Sequence, residues 1–198
     1  LSLRLYLSSN NFTIKFASSI ILRHTINKTW PNSKCDETSK EMIHDLIIQC
    51  LSSKGEHSLF SYFLYSIGPI LLTDIDKWTE FQQLYNFQIS AATSETIIYP
   101  IIISSLTLEY LPYDLIKTKL IYFLSLAQYS FGVDDNFLII FSSRLISKLF
   151  LKLQPEDLFH LTGPFEFVMN KWAYSIIESN NDYSIWLNQA VNEVINNQ

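Results

Sequence analysis

The side chains with chemical potential in this chain are four histidines, two cysteines and a few paired carboxylates. His24, His44, His57 and His160 are scattered. On a helix, His44 and Cys50 lie six residues apart and project toward different faces, so they do not form a metal pair. Asp74 with Asp76, and Asp134 with Asp135, sit where helices are expected to begin, and capping accounts for them without an acid-base role. No GxGxxG, P-loop, GxSxG or HExxH pattern occurs. These residues imply neither a catalytic site nor a cofactor, and the expectation is a chain that is not an enzyme and uses no metal.

Composition narrows the classes further. Apolar residues make up 48% of the 198 residues and charged residues 17%, which demands a large buried core. With only 4 Gly and 6 Pro there are too few turn-formers for a β-sandwich, and long helices are expected. A net charge of -5 with 14 Lys and Arg argues against a general nucleic-acid binder and favours a basic protein partner. The 11 Tyr, 14 Phe and 4 Trp lack the interleaved basic residues of a base-stacking platform and read as core. The longest uncharged stretch, His57 to Thr73, is too short and too polar to span a membrane.

Cys35 and Cys50 have no CxxC spacing, which points to a reduced intracellular setting. They bracket one expected helix at about 22 Å, beyond disulfide reach. The chain starts at Leu1 and not at Met, which reads as a fragment of a longer protein.

Periodicity sets out the elements. Phe12, Phe16 and Ile20, with Ala17 and Ile21 beside them, recur at the spacing of an apolar helix face, in a helix that stops before Trp30-Pro31. A second helix starts at Asp36 and Glu37. Met42, Ile43, Leu46, Ile47, Cys50 and Leu51 form its apolar face, and Lys40, Glu41, His44, Asp45 and Gln49 its polar face. Helices are expected from Glu56 to Leu72, kinked or cut at Gly68-Pro69, and from Asp74 to Ile89 with Asp74 or Asp76 as its cap. A very apolar helix through Ile101 to Leu108 closes at Pro112, although Ile97 to Ile103 also suits a buried strand. Asp114 then caps a helix burying Ile116, Leu120, Phe123, Leu124 and Ala127, and Asp134-Asp135 opens one burying Leu138, Phe141, Leu145 and Leu149. A short turn over Pro155 to Gly163 precedes a helix from Pro164, and Asp182 starts the last.

Successive helix pairs beginning near Phe12, Glu56, Glu95 and Asp134 are spaced by about 44, 39 and 39 residues, the periods of HEAT and armadillo repeats. The expected fold is all-α, an α-α superhelix of antiparallel pairs forming a single solenoid segment over 1–198. An irregular helical bundle would show the same lengths.

Two places carry a closer likeness. Phe12-Thr-Ile-Lys-Phe-Ala-Ser-Ser-Ile-Ile-Leu-Arg-His-Thr-Ile26 followed by Asp36-Glu-Thr-Ser-Lys-Glu-Met-Ile-His-Asp-Leu-Ile-Ile-Gln-Cys-Leu51 resembles an early HEAT pair of importin-β superfamily nuclear transport receptors. Trp78 with Phe81, then Ser104-Ser-Leu-Thr-Leu-Glu-Tyr-Leu-Pro-Tyr-Asp114, resembles a later helix ending of the importin and exportin branch. The resemblance covers residues 5 to 115, and Gly68-Pro69 departs from the family's uninterrupted helix. It implies an N-terminal arch that binds the small GTPase Ran in its GTP form, protein cargo and nucleoporins, moving between nucleus and cytoplasm. Since second helices of early repeats meet Ran in that family, it places Glu41, His44 and Asp45 at a partner surface. A HEAT or armadillo scaffold for another complex is the competing expectation, and a helical enzyme of unrecognised type the third.

Overall fold

The computed structural model describes residues 1–30, 36–53, 56–133, 135–154 and 156–157, with single positions at 163, 166, 170 and 173. Among them every regular element is helical and no strand occurs, so the all-α class holds. The chain divides into two compact units, Leu1–Leu84 and Tyr85–Gln198. Cys35 and Asp134, the turn over Pro155 to Gly163 and the helices expected from Pro164 and Asp182 lie wholly or mostly outside the described residues.

The first unit begins with a helix that periodicity does not announce, α1 (Ser2–Ser8), which buries Leu3 and Tyr6. Helix α2 (Phe12–Thr29) starts at Asn11, whose side-chain carbonyl accepts the Ile14 N–H at 3.3 Å. The apolar row expected to define its packed face is turned outward. Phe12, Ile20 and Ile21 are exposed and Phe16 is 36% exposed with its ring against Tyr62, whereas Ser18, Ser19, Leu22 and Ile26 are buried. The cause is the size and self-sufficiency of serine. The Ser18 hydroxyl donates to the Ile14 carbonyl at 2.7 Å and that of Ser19 to Lys15 at 3.1 Å, so both enter the core with their polar atoms already satisfied.

Helix α3 (Glu37–Ser52) is capped by Asp36, which accepts from the Ser39 N–H at 2.8 Å and the Ser39 hydroxyl at 2.9 Å. These bonds hold the Asp36 carboxyl below its ordinary pKa. Ile47, Cys50 and Leu51 are buried as expected, but Met42 is exposed, and His44 is half-buried instead of lying on the polar face. The packed face of α3 is therefore rotated from Met42 toward His44. At Gly68-Pro69 the chain does divide, into α4 (His57–Ser66) and α5 (Gly68–Asp74), with Pro69 in the first turn where no N–H is needed.

The long helix expected from Asp74 to Ile89 does not form. A single turn, α6 (Thr79–Gln82), is followed by short 3-10 segments at Gln83–Asn86 and Ile89–Ala91. Neither Asp74 nor Asp76 caps it, since Asp74 ends α5. Instead the Gln82 side chain donates to the Ile75 carbonyl at 2.7 Å and fixes the turn.

Within this unit α1 packs on α2 and α3, and α2 packs on α4 and α5. The Phe16 ring lies 4.8 Å from that of Tyr62, and Trp30 Nε1 donates to Thr73 Oγ1 at 3.1 Å. Hence α2 runs beside α4 and α5 in the same direction. The neighbours of α2 are thus α1, α4 and α5, and the pairing of α2 with α3 that the spacing from Phe12 implies is not among these packing contacts.

The second unit is built around α7 (Ser94–Thr107), which packs on α9 (Leu120–Gly132) and α10 (Asn136–Lys152), themselves in contact. Thr93 and Thr96 form a reciprocal capping box, which starts a helix across the run that also suits a strand. Ile97, Ile101, Ile102 and Ile103 are buried around it, as befits a helix enclosed on most sides. Asp114 is not a cap: Pro112 holds that position for α8 (Tyr113–Thr118), and the chain breaks at Lys119 before α9. Asp135 does cap α10, accepting from the N–H groups of Phe137 at 2.8 Å and Leu138 at 3.2 Å. Ile116, Leu120, Phe123, Leu124, Ala127, Leu138, Leu145 and Leu149 are buried, while Phe141 is only partly so. Tyr85 is buried with its hydroxyl 2.6 Å from Thr107 Oγ1.

This packing predicts unequal costs for adjacent residues of α2. Leu22→Ala should lower unfolding free energy by about 2–5 kcal/mol, and Ile21→Ala should change it by about 0.5 kcal/mol or less. Urea unfolding followed by far-UV circular dichroism tests this, and the reverse order would place the other face inside. Ser142 is buried with no hydrogen-bond partner for its hydroxyl. Ser142→Ala should leave the urea midpoint unchanged or raise stability by up to about 1 kcal/mol.

Candidate functional site

Helix α3 carries the three residues singled out by sequence. Glu41 and Asp45 are exposed and continue a row that starts at Glu37, at intervals of four residues along the outer face. Glu37 is held by Lys40 at 3.0 Å. Met42 lies beside this row and is also exposed.

His44 belongs to a different environment. Its ring stacks on Trp78 with centroids 4.1 Å apart and an interplanar angle of 16°, and Trp30 lies 5.8 Å away. Nε2 sits 3.2 Å from Asp74 Oδ2, close enough for an ion pair but off the line of a well-formed hydrogen bond. Burial lowers the His44 pKa, opposed by the carboxylates of Asp74, Glu80 and Asp45. Sequence reasoning missed this cluster because Trp30 and Trp78 lie 48 residues apart. Their large rings, flanking a helix with one central histidine, were the only available signal.

The arrangement offers little covalent chemistry. A half-buried imidazole beside one carboxylate has no nucleophile within the cluster, and among the described residues no group of three His, Cys, Asp or Glu side chains is placed to hold a metal ion. Cys50 is buried and unbridged, with burial pushing its thiol up to about 12, so little reactive thiolate forms at neutral pH. In the second unit an open groove of about 520 Å³ is lined by Ile89, Ser125, Gln128, Tyr129, Gly132 and Val133, without a charged group. There too, Asp157 joins Lys117 at 2.7 Å and accepts from the Tyr113 hydroxyl, so its carboxylate is held by two side chains of α8. Among the described residues no helix is long and apolar enough to cross a membrane.

The His44 environment has a consequence in solution. In the unfolded chain His44 takes up its proton near the ordinary value of 6.5, but the folded protein resists it to lower pH. The unfolded state therefore binds more protons in that window, and the contribution of His44 to stability falls as pH drops below 6.5. His44→Phe keeps the stacking and removes the titration. Its urea midpoint should fall less between pH 7 and pH 5 than that of the wild type, and parallel pH profiles would contradict the assignment.

Compared with protein-family models and with curated proteins, the sequence matches none.

Proposed function

We propose that this chain is a protein-binding helical scaffold, and that the outer face of α3 meets a basic surface of its partner. The observation that carries this reading is the exposed acidic row of Glu37, Glu41 and Asp45, on a helix whose other side is committed to packing. Exposed like charges at four-residue spacing disfavour an isolated helix slightly, and a cationic partner converts that repulsion into attraction. His44 does not reach this outer row. It acts from beneath, where its stack on Trp78 fixes how α3 presents Glu41 and Asp45.

In its specific form the proposal is a segment of a nuclear transport receptor, an arch of HEAT-like pairs that binds Ran-GTP, protein cargo and nucleoporins and works in nucleus and cytoplasm. Support for it comes from the resemblance of residues 12–51 and 104–114 and from the same-direction stacking of α2 beside α4 and α5, which suits a repeat architecture. A HEAT or armadillo scaffold in another complex would use the same face for a different basic partner.

Titration of GTP-loaded Ran separates these forms. Replacing Glu41 and Asp45 together with Lys should leave the unfolding midpoint nearly unchanged, because both side chains are exposed. Affinity for Ran-GTP should fall by about tenfold, with the greatest loss at low salt. Equal affinities would remove this face from the site, and no binding by the wild type would remove the transport form.

A further inference from the structure

The imidazole of His44 lies between the packed interior of the first unit and the acidic face of α3. Its side chain is 17% exposed and that of Asp74 18%, while Nε2 itself is closed off from solvent. Trp78 covers one face of the ring at 4.1 Å, and Trp30, just past the end of α2, stands 5.8 Å away. The charged groups that face the ring are carboxylates: Asp74 from α5 at 3.2 Å, Glu80 from α6, and Asp45 from α3 itself. Glu41 stands three residues before His44, a neighbour on the helix surface. Lys40, one turn earlier, pairs with Glu37 at 3.0 Å.

Neutral His44 leaves Nε2 buried beside a carboxylate without a well-formed hydrogen bond. A proton on the ring converts that contact into an ion pair and gives the Trp78 face a cation to stack on. Burial opposes the proton and the three carboxylates favour it, and burial prevails. Carboxylates remain largely ionised above about pH 5. Between neutral and mildly acid pH, imidazole protonation therefore adds one positive charge directly beneath Glu41 and Asp45, while the negative charges around it stay in place.

We infer that His44 gates the acidic face of α3: the face holds a basic partner while the imidazole is neutral and releases it when the ring takes up a proton. The gate rests on the reading of α3 as the partner-binding face, and adds a control built beneath that face. Its sign follows from charge. Lys and Arg side chains brought to Glu41 and Asp45 are repelled by an imidazolium beside them, so the protonated state binds a cationic partner less tightly. Linkage makes the effect reciprocal, and a docked basic partner must keep the ring neutral to lower pH.

The test uses the full chain at modest salt and an N-terminally labelled fluorescent decalysine, whose charge is constant between pH 5 and pH 7.5. Wild type should bind it at pH 7.5, bind it less after Glu41→Lys with Asp45→Lys, and bind it about threefold or more weakly at pH 5. His44→Phe keeps an aromatic ring against Trp78 and should lose most of that pH dependence. Carboxylate protonation is common to both proteins and cancels in the comparison. By NMR, the His44 ring resonance of the wild type, identified through its contacts with the Trp78 indole, should titrate at lower pH with the peptide bound than without it. If His44→Phe fails to fold, this titration decides alone. Absent binding at pH 7.5, or binding indifferent to Glu41→Lys with Asp45→Lys, would remove the acidic face and the gate with it. Binding that needs both carboxylates but falls equally with pH in wild type and His44→Phe, or a His44 titration that the peptide leaves unmoved, would overturn the gate alone.

Discussion

Hydrogen bonds from serine and threonine hydroxyls back to the preceding helical turn are what allow these helices to close on one another. The buried polar side chains among the described residues are all Ser or Thr. Ser18, Ser19, Ser66, Thr107, Ser130 and Ser143 each donate to the carbonyl four residues earlier, at 2.6 to 3.1 Å. Each hydroxyl thus enters the core with its donor already used, and its small volume lets a neighbouring helix approach. Ser104 and Ser142 depart from the pattern, neither hydroxyl bonding back to the preceding turn.

This constraint decides which surfaces remain outside. With Ser18 and Ser19 turned inward beside Leu22 and Ile26, Phe12, Ile14, Ile20 and Ile21 of α2 are left facing out. On α3 the stack of His44 on Trp78, with Asp74 beside it, orients the helix so that Glu37, Glu41 and Asp45 point away. The first unit thus presents an acidic face on α3 and an apolar face on α2, and both follow from packing beneath the surface.

Much of the element order is legible from residue pattern. Asp36 and Asp135 act as caps where the pattern places them, and Gly68-Pro69 divides its helix. Orientation was far less legible. Apolar spacing located α2 but reversed its faces, because a hydrophobicity pattern counts serine as polar and cannot credit it with satisfying itself. Helix α1 escaped notice, since seven residues are too few to display a period. The stretch after Asp74 has helical composition but is held by Gln82 in a tight turn, a side-chain effect that periodicity does not contain. Of the proposed site, Glu41 and Asp45 could be read from sequence as exposed, whereas the burial of His44 depended on two tryptophans distant along the chain.

The outward turn of the apolar rows of α2 is the central claim, and solvent access to individual positions measures it directly. Ile20→Cys and Ile21→Cys can be compared with Ser19→Cys and Leu22→Cys under native conditions, by maleimide labelling followed peptide by peptide in a mass spectrometer. The account predicts that the cysteines at 20 and 21 react at nearly the rate of an unfolded control, and that those at 19 and 22 are strongly protected. Protection at 20 and 21 with free reaction at 19 and 22 would contradict it.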